Sequence, residues 1–169
     1  STFSNALTVL GAMDARDSSF TDALSVSGSM EAHGSTFSNT LTVSGTASLS
    51  GCTLEASATL MATGGGSLSL ASMAVPAAAL GAAERALSGA GSTLRLDAIT
   101  VPEFPGWGEL SGLVTVAADG SKATEPQGFG GPSFAVASGP CVAYGRCVGR
   151  PEGYGPSEDC AITVGGGGG

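Results

Sequence analysis

Charge and bulk are both scarce in this chain. Only 12% of its 169 residues are Asp, Glu, Lys or Arg, and only 5% are aromatic. Gly, Ala, Ser and Thr take their place, a composition that suits thin layers stacked closely and not the bulky, charged interior of a compact enzyme. Basic residues are scarcest: six Lys and Arg stand against fourteen Asp and Glu, with a pI near 4.3. A phosphate backbone or an anionic membrane surface would repel such a chain, which excludes nucleic acid as a partner. Long apolar runs are missing too. Although 42% of the residues are hydrophobic, Gly, Ser and Thr interrupt them everywhere, so no membrane span is expected. No signal peptide is visible, and the chain opens at Ser1, in mid-phrase and without an initiator Met; it reads as a processed product or a fragment of something longer.

What the chain does contain is repetition. "STFSNALTVLGAMDARD" is followed 17 residues later by "SSFTDALSVSGSMEAHG" and then by "STFSNTLTVSGTASLSG". The phrases align Phe3 with Phe20 and Phe37, Leu7 with Leu24 and Leu41, Val9 with Val26 and Val43, and Gly11 with Gly28 and Gly45. A fourth phrase from Cys52 keeps Leu54 and Leu60 before it degenerates into "ATGGG". Within each phrase apolar and small polar residues alternate, as in Leu7-Thr8-Val9, which is the period of an extended strand. Seventeen residues trace at most ~56 Å, too little for a helical hairpin and right for one turn of a solenoid. The expected fold is therefore all-β: a β-solenoid (β-helix) of about 17-residue coils, each hydrogen-bonded to its neighbours. The Phe, Leu and Val columns point inward, and the Gly column is expected to turn corners that need a residue without a Cβ.

The phrase continues weakly. "SLSLASMAV" (67–75) and "STLRLDAITV" (92–101) restate its strand portion, and between them "PAAALGAAERAL" suits a short helical insertion near 76–88 that leaves the solenoid as a flap or a cap. "SGLVTVAADGS" (111–121) adds a strand with a turn. The division is a solenoid domain over 1–121, a linker over 122–139 and a cysteine-containing β tail over 140–169.

Cys141, Cys147 and Cys160 crowd into a Gly- and Pro-rich stretch, and Cys52 replaces Ser at the first position of its coil. Secreted proteins use cysteine this way. Four cysteines allow three pairings, one of which staples the tail to the solenoid. In "GPCVAYGRCVGRPEGYGPSEDCAITV" the spacing of Cys141, Cys147 and Cys160, with Val148, Pro151, Tyr154 and Gly155 between and an apolar strand from Ala161 to Val164, resembles the opening of CUB-like domains. The resemblance covers about residues 139–164. It implies an extracellular β-sandwich module of the kind found in secreted multidomain proteins of algae and other protists, one that mostly binds proteins or glycans. It brings no calcium site, because the acidic residues concerned lie beyond the matched stretch.

Among side chains, the strongest functional candidate is an outward hydroxyl array. Thr2 and Ser4, Ser19 and Thr21, Thr36 and Ser38 each flank an inward Phe, so stacking places them in rows ~4.8 Å apart with ~7 Å between the members of a pair. Such a lattice suits ice binding, glycan binding, O-linked sugar or simple solvation. His33, the only histidine, lies next to Glu31, but its equivalents in neighbouring coils are Arg16 and Ser50, so it reads as a solvated corner. Asp14, Asp17, Asp22 and Glu31 lack the G-G-x-G-x-D pattern of calcium-binding rolls. The glycine runs 64–66 and 165–169 lack the Lys of a phosphate loop and read as turn and linker. No catalytic residue, cofactor or metal is expected. The sequence points to a structural subunit of an extracellular or cell-surface fibril or appendage, self-associating through solenoid ends and the tail, with ice binding and glycan-binding adhesion as the alternatives.

Overall fold

The computed structural model describes residues 1–125 and, further on, the strands at 133–138, 142–144, 147–149 and 161–165. The chain is mostly strands with one short helix, and the first four phrases wind about four turns of a three-faced β-solenoid. Coil 1 contributes β1 (Thr2–Phe3), β2 (Leu7–Val9) and β3 (Ala12–Arg16), one strand to each face. Coil 2 repeats the set as β4 (Ser19–Phe20), β5 (Leu24–Val26) and β6 (Ser29–His33). Coil 3 supplies β7 (Thr36–Phe37), β8 (Thr40–Val43) and β9 (Thr46–Ser50), and coil 4 supplies β10 (Thr53–Leu54), β11 (Thr59–Ala62) and β12 (Ser67–Ala71). All pairings between these coils are parallel and in register: Phe3 sits against Phe20, Leu24 against Leu41, Met30 against Ala47. A crossover returning to the same face after one turn must produce parallel neighbours, so the 17-residue period dictates the sheet type.

Alternation decides which side chains enter the core. Phe20, Leu24, Val26, Met30 and Ala32 are buried while Thr21, Ser27, Ser29, Glu31 and His33 remain exposed. The Phe column forms a continuous stack: ring centroids of Phe3–Phe20 and Phe20–Phe37 are each 5.0 Å apart, with interplanar angles of 6° and 10°. That spacing is slightly wider than the ~4.8 Å between strands, so the coil pitch itself brings the rings into face contact.

The glycine column has a different purpose from the one its pattern suggests. Gly28 and Gly45 have ordinary negative φ, but a Cβ on Gly28 would lie 2.0 Å from the carbonyl oxygen of Gly11, and one on Gly45 would lie 2.0 Å from that of Gly28. Crowding between stacked backbones excludes a side chain there. The left-handed corner falls instead at Asp17, Gly34, Gly51 and Ser72, with φ of 47°, 59°, 57° and 49°.

Coil 4 departs from the period. Its face 1 keeps the 17-residue spacing (Thr36 to Thr53), but face 2 pairs Leu41 with Leu60 and face 3 pairs Ala47 with Leu68, so extra residues are accommodated at both following corners. Beyond it the solenoid closes. The helix α1 (Ala77–Ala86) packs against β11, burying Ala77, Leu80, Ala83 and, just past its end, Leu87. Next, β13 (Thr93–Ile99) adds to β12 in parallel, and β14 (Leu110–Val116) and β15 (Lys122–Glu125) follow antiparallel, making face 3 a seven-stranded sheet. The expected helical insertion is thus a cap. Face 1 is echoed by Ser72–Pro76 and Ala98–Pro102, which share a Val-Pro ending and meet through a bridge between Ala74 and Thr100. Further along, β16 (Ser133–Ser138) pairs with β19 (Ala161–Gly165), and β17 (Val142–Tyr144) with β18 (Cys147–Gly149), all antiparallel.

Candidate functional site

The hydroxyl array lies on face 1. Thr2, Ser19 and Thr36 are register partners, and Thr53 continues the column. The second column, Ser4, Thr21 and Ser38, is fixed by the backbone bonds Thr21 N–H to Phe3 O (3.0 Å) and Ser38 N–H to Phe20 O (2.9 Å), and ends where Glu55 N–H donates to Phe37 O (2.9 Å). Thr2, Ser4 and Thr21 are exposed; Ser19, Thr36 and Ser38 are half-buried. One hydroxyl is already engaged, since Thr21 Oγ1 donates to Phe3 O at 3.3 Å.

Face 1 is not special in this respect. Face 2 presents Thr8, Ser25 and Thr42 in register, with Thr40 beside Thr59, and face 3 presents Thr46, Ser67 and Thr93 beside Ser48 and Ser69. Hydroxyls bond along these columns, Ser44 to Ser27 at 3.2 Å and Thr93 to Ser67 at 2.9 Å. The sequence carried the signal in "TLTV", "TASLS" and "SLSLA", where the same alternation puts Ser and Thr outward.

A third set of hydroxyls turns inward. Ser18 and Ser35 are buried at the corner leading into face 1, and Cys52 occupies the same position in coil 4. Ser35 Oγ accepts from Ser18 N–H (3.1 Å) and lies 3.2 Å from the carbonyl oxygens of Ala15 and His33; Cys52 Sγ–H reaches Ala32 O (3.4 Å) and Ser50 O (3.5 Å). Burial pushes the Cys52 thiol pKa up, against the smaller opposing effect of hydrogen bonds from the Ser35, Ser50 and Gly34 backbone. Cys52 is a free thiol among the described residues. The candidate partners Cys141 and Cys160 lie outside the described residues, and Cys147 opens β18.

Charge gathers on the first two coils of face 3. Asp14 faces Glu31 across the ladder, and the column Arg16, His33, Ser50 runs beside them. Arg16 is tied back to Asp14 by an exposed ion pair of 3.1 Å, which contributes little to stability. A shallow groove of about 380 Å³ runs along Asp14, Glu31 and Ser48, floored by Met13 and Met30. Among the described residues no three His, Cys, Asp or Glu side chains gather closely enough to hold a metal, and no helix is long and apolar enough to cross a membrane. His33 is exposed at the end of β6, with Ser50 as its register partner on the next coil.

The cap has its own polar anchors. Ala77 N–H at the start of α1 donates to Glu103 Oε2 (3.2 Å), and Lys122 Nζ donates to the carbonyls of Glu84 and Arg85 at its end. Burial lowers the Lys122 pKa, with Glu84 opposing. An anion at the N-terminus and a cation at the C-terminus both complement the helix dipole. Compared with known protein families, with curated proteins and with solved structures, the chain matches none.

Proposed function

We propose that this chain is a structural module of an extracellular or cell-surface assembly, and that its repeat exists to build length and regular faces. The observation that carries this reading is the contrast between inside and outside. From coil to coil the inward columns hold their shape, with Phe3, Phe20 and Phe37 stacked and Leu and Val beside them. The outward positions drift among Ser, Thr, Asn, Asp and Ala. A chemical site would need titratable groups converging on one coil, and the hydroxyls instead spread over all three faces.

Assembly through coil stacking is part of the proposal. Among the described residues, strands β1, β2 and β3 each have a neighbour on one side only, and the apolar residues of that coil are poorly covered: Phe3, Leu7 and Met13 are half-buried and Leu10 is 77% exposed. Another coil laid on this edge, whether preceding in the chain or from a second copy, would complete three ladders at once. The cysteine-containing tail, by its likeness to CUB-like modules, supports an extracellular setting and a second point of attachment. Sedimentation and electron microscopy of the purified chain test this. Concentration-dependent association that Leu7→Lys abolishes is expected, whereas a monodisperse monomer at high concentration would overturn it.

The in-register hydroxyl rows favour ice binding as the second reading, with the regular face itself as the active surface. Thermal hysteresis lost on Thr36→Tyr would establish it in place of the scaffold.

A further inference from the structure

We infer that the lower edge of coil 1 is the seat of one further coil of the same 17-residue phrase, parallel, in register and continuous with this chain through Ser1. This rests on the coil-stacking reading above for one point, that a coil completes this edge. Coil 1 carries three devices that the later coils direct at the coil beneath them. The first is its glycine. A Cβ on Gly28, Gly45 or Gly66 would lie 2.0, 2.0 or 2.2 Å from a carbonyl oxygen of the coil beneath, whereas one on Gly11 meets nothing within 4 Å. Gly11 also lacks the positive φ that would call for glycine in its own turn. Glycine is required there once a backbone lies beneath it as closely as Gly11 O lies beneath Gly28.

The second device is a set of amides. Thr21 donates to Phe3 O (3.0 Å), Ser27 and Gly28 to Val9 O (2.9 and 3.0 Å) and Ser29 to Gly11 O (2.8 Å), and Ser38, Ser44, Gly45 and Thr46 repeat the set one coil on. The equivalent amides of coil 1 belong to Ser4, Leu10, Gly11 and Ala12, all exposed, on the side where the described residues supply no strand. The third device is the inward corner group. Ser35 Oγ lies 3.2 Å from both Ala15 O and His33 O, and Cys52 Sγ lies 3.4 Å from Ala32 O and 3.5 Å from Ser50 O. In each pair one acceptor is 2 residues back and the other 20 residues back, a coil lower. Ser18, buried at the same corner, donates to Arg16 O (3.0 Å), and the lower acceptor of its pair would belong to a coil beneath coil 1. The same corner fixes the source of that coil. Ser1, Ser18 and Ser35 form one column through Ser19 N–H to Ser1 O and Thr36 N–H to Ser18 O, and here each coil runs into the next. A coil from a separate molecule would have to stop where Ser1 stands, while a coil of this polypeptide enters it directly, as Gly34 enters Ser35.

The test extends the full chain ahead of Ser1 by a second copy of residues 18–34, with an extension of the same residues in scrambled order as the control. At concentrations where the chain sediments as a monomer, amide exchange at Ser4, Gly11 and Ala12 is expected to slow at least about tenfold with the added coil and not with the scrambled one. Gly11→Ala should leave the unfolding constant of the unextended chain within about twofold and raise that of the extended chain at least about tenfold, as Gly28→Ala does in both. Ser18→Ala, a milder change, should likewise be more damaging in the extended chain. Equal effects of these variants with and without the added coil, or equal protection from the scrambled extension, would overturn the seat. Sedimentation at higher concentration reads association between chains separately: a monomer that accepts the added coil removes assembly between chains and keeps the seat, and association without protection by the added coil does the reverse.

Discussion

Gly28 and Gly11 occupy the same column and face opposite constraints. A Cβ on Gly28 meets backbone oxygen at 2.0 Å, whereas one on Gly11 meets nothing within 4 Å because no coil lies beneath it. Gly28→Ala should therefore cost about 2 to 3 kcal/mol as stacked backbones are forced apart, and Gly11→Ala close to nothing; denaturant unfolding of the pair reads the difference. Equal effects would mean that the column serves local backbone conformation and not stacking. The ring column permits a similar internal comparison. Phe20 is 2% exposed and stacked on both sides, so Phe20→Ala should cost about 3 to 5 kcal/mol, and Phe3→Ala, at the half-covered end, distinctly less. A cost below about 1 kcal/mol at Phe20 would contradict the buried stack. The Phe, Leu and Val columns were legible because burial selects for size every second residue. The reason for the glycines was not, since a clash with the coil below involves atoms 17 residues away.

Strands of two to five residues leave little room for error in coil length. Removing Ser27 from coil 2 would shift Ser29–His33 by one position, turning Met30 and Ala32 outward and Glu31 into the core. That deletion should abolish cooperative unfolding. Removing Ala56 should shift the melting temperature by only a few degrees, since this exposed turn already holds residues beyond the 17-residue period, closed by Ala58 N–H on Glu55 O at 2.9 Å. Circular dichroism melts of the two deletions decide the matter, and equal damage would show that coil 4 has no slack. Strand positions and the helix near 76–88 could be read from periodicity and from Pro76. What escaped was which element each would meet. The antiparallel return of β14 depends on long-range pairing, and the restated corners Ser72–Pro76 and Ala98–Pro102 are hidden by the 26-residue spacing that α1 introduces.

At the scale of the whole molecule the two ends are unlike, one a coil paired on a single side among the described residues, with half-covered Phe3, Leu7 and Met13, the other closed by helix and antiparallel strands. The sequence implied a stack of coils and a candidate hydroxyl face, but that Ser and Thr point outward on all three faces became apparent only once each strand was assigned to its face. The hydrogen bonds between coils all run along the solenoid axis, as in Ser19 N–H to Ser1 O and Thr36 N–H to Ser18 O. Tension applied along that axis meets them one coil at a time, in peeling and not in shear. The outermost coil, bonded on a single side, yields first, and each 17-residue turn that comes away lengthens the thread by about 50 Å, its extended length less the ~4.8 Å it spanned along the axis. A tether built this way gives under load one coil at a time.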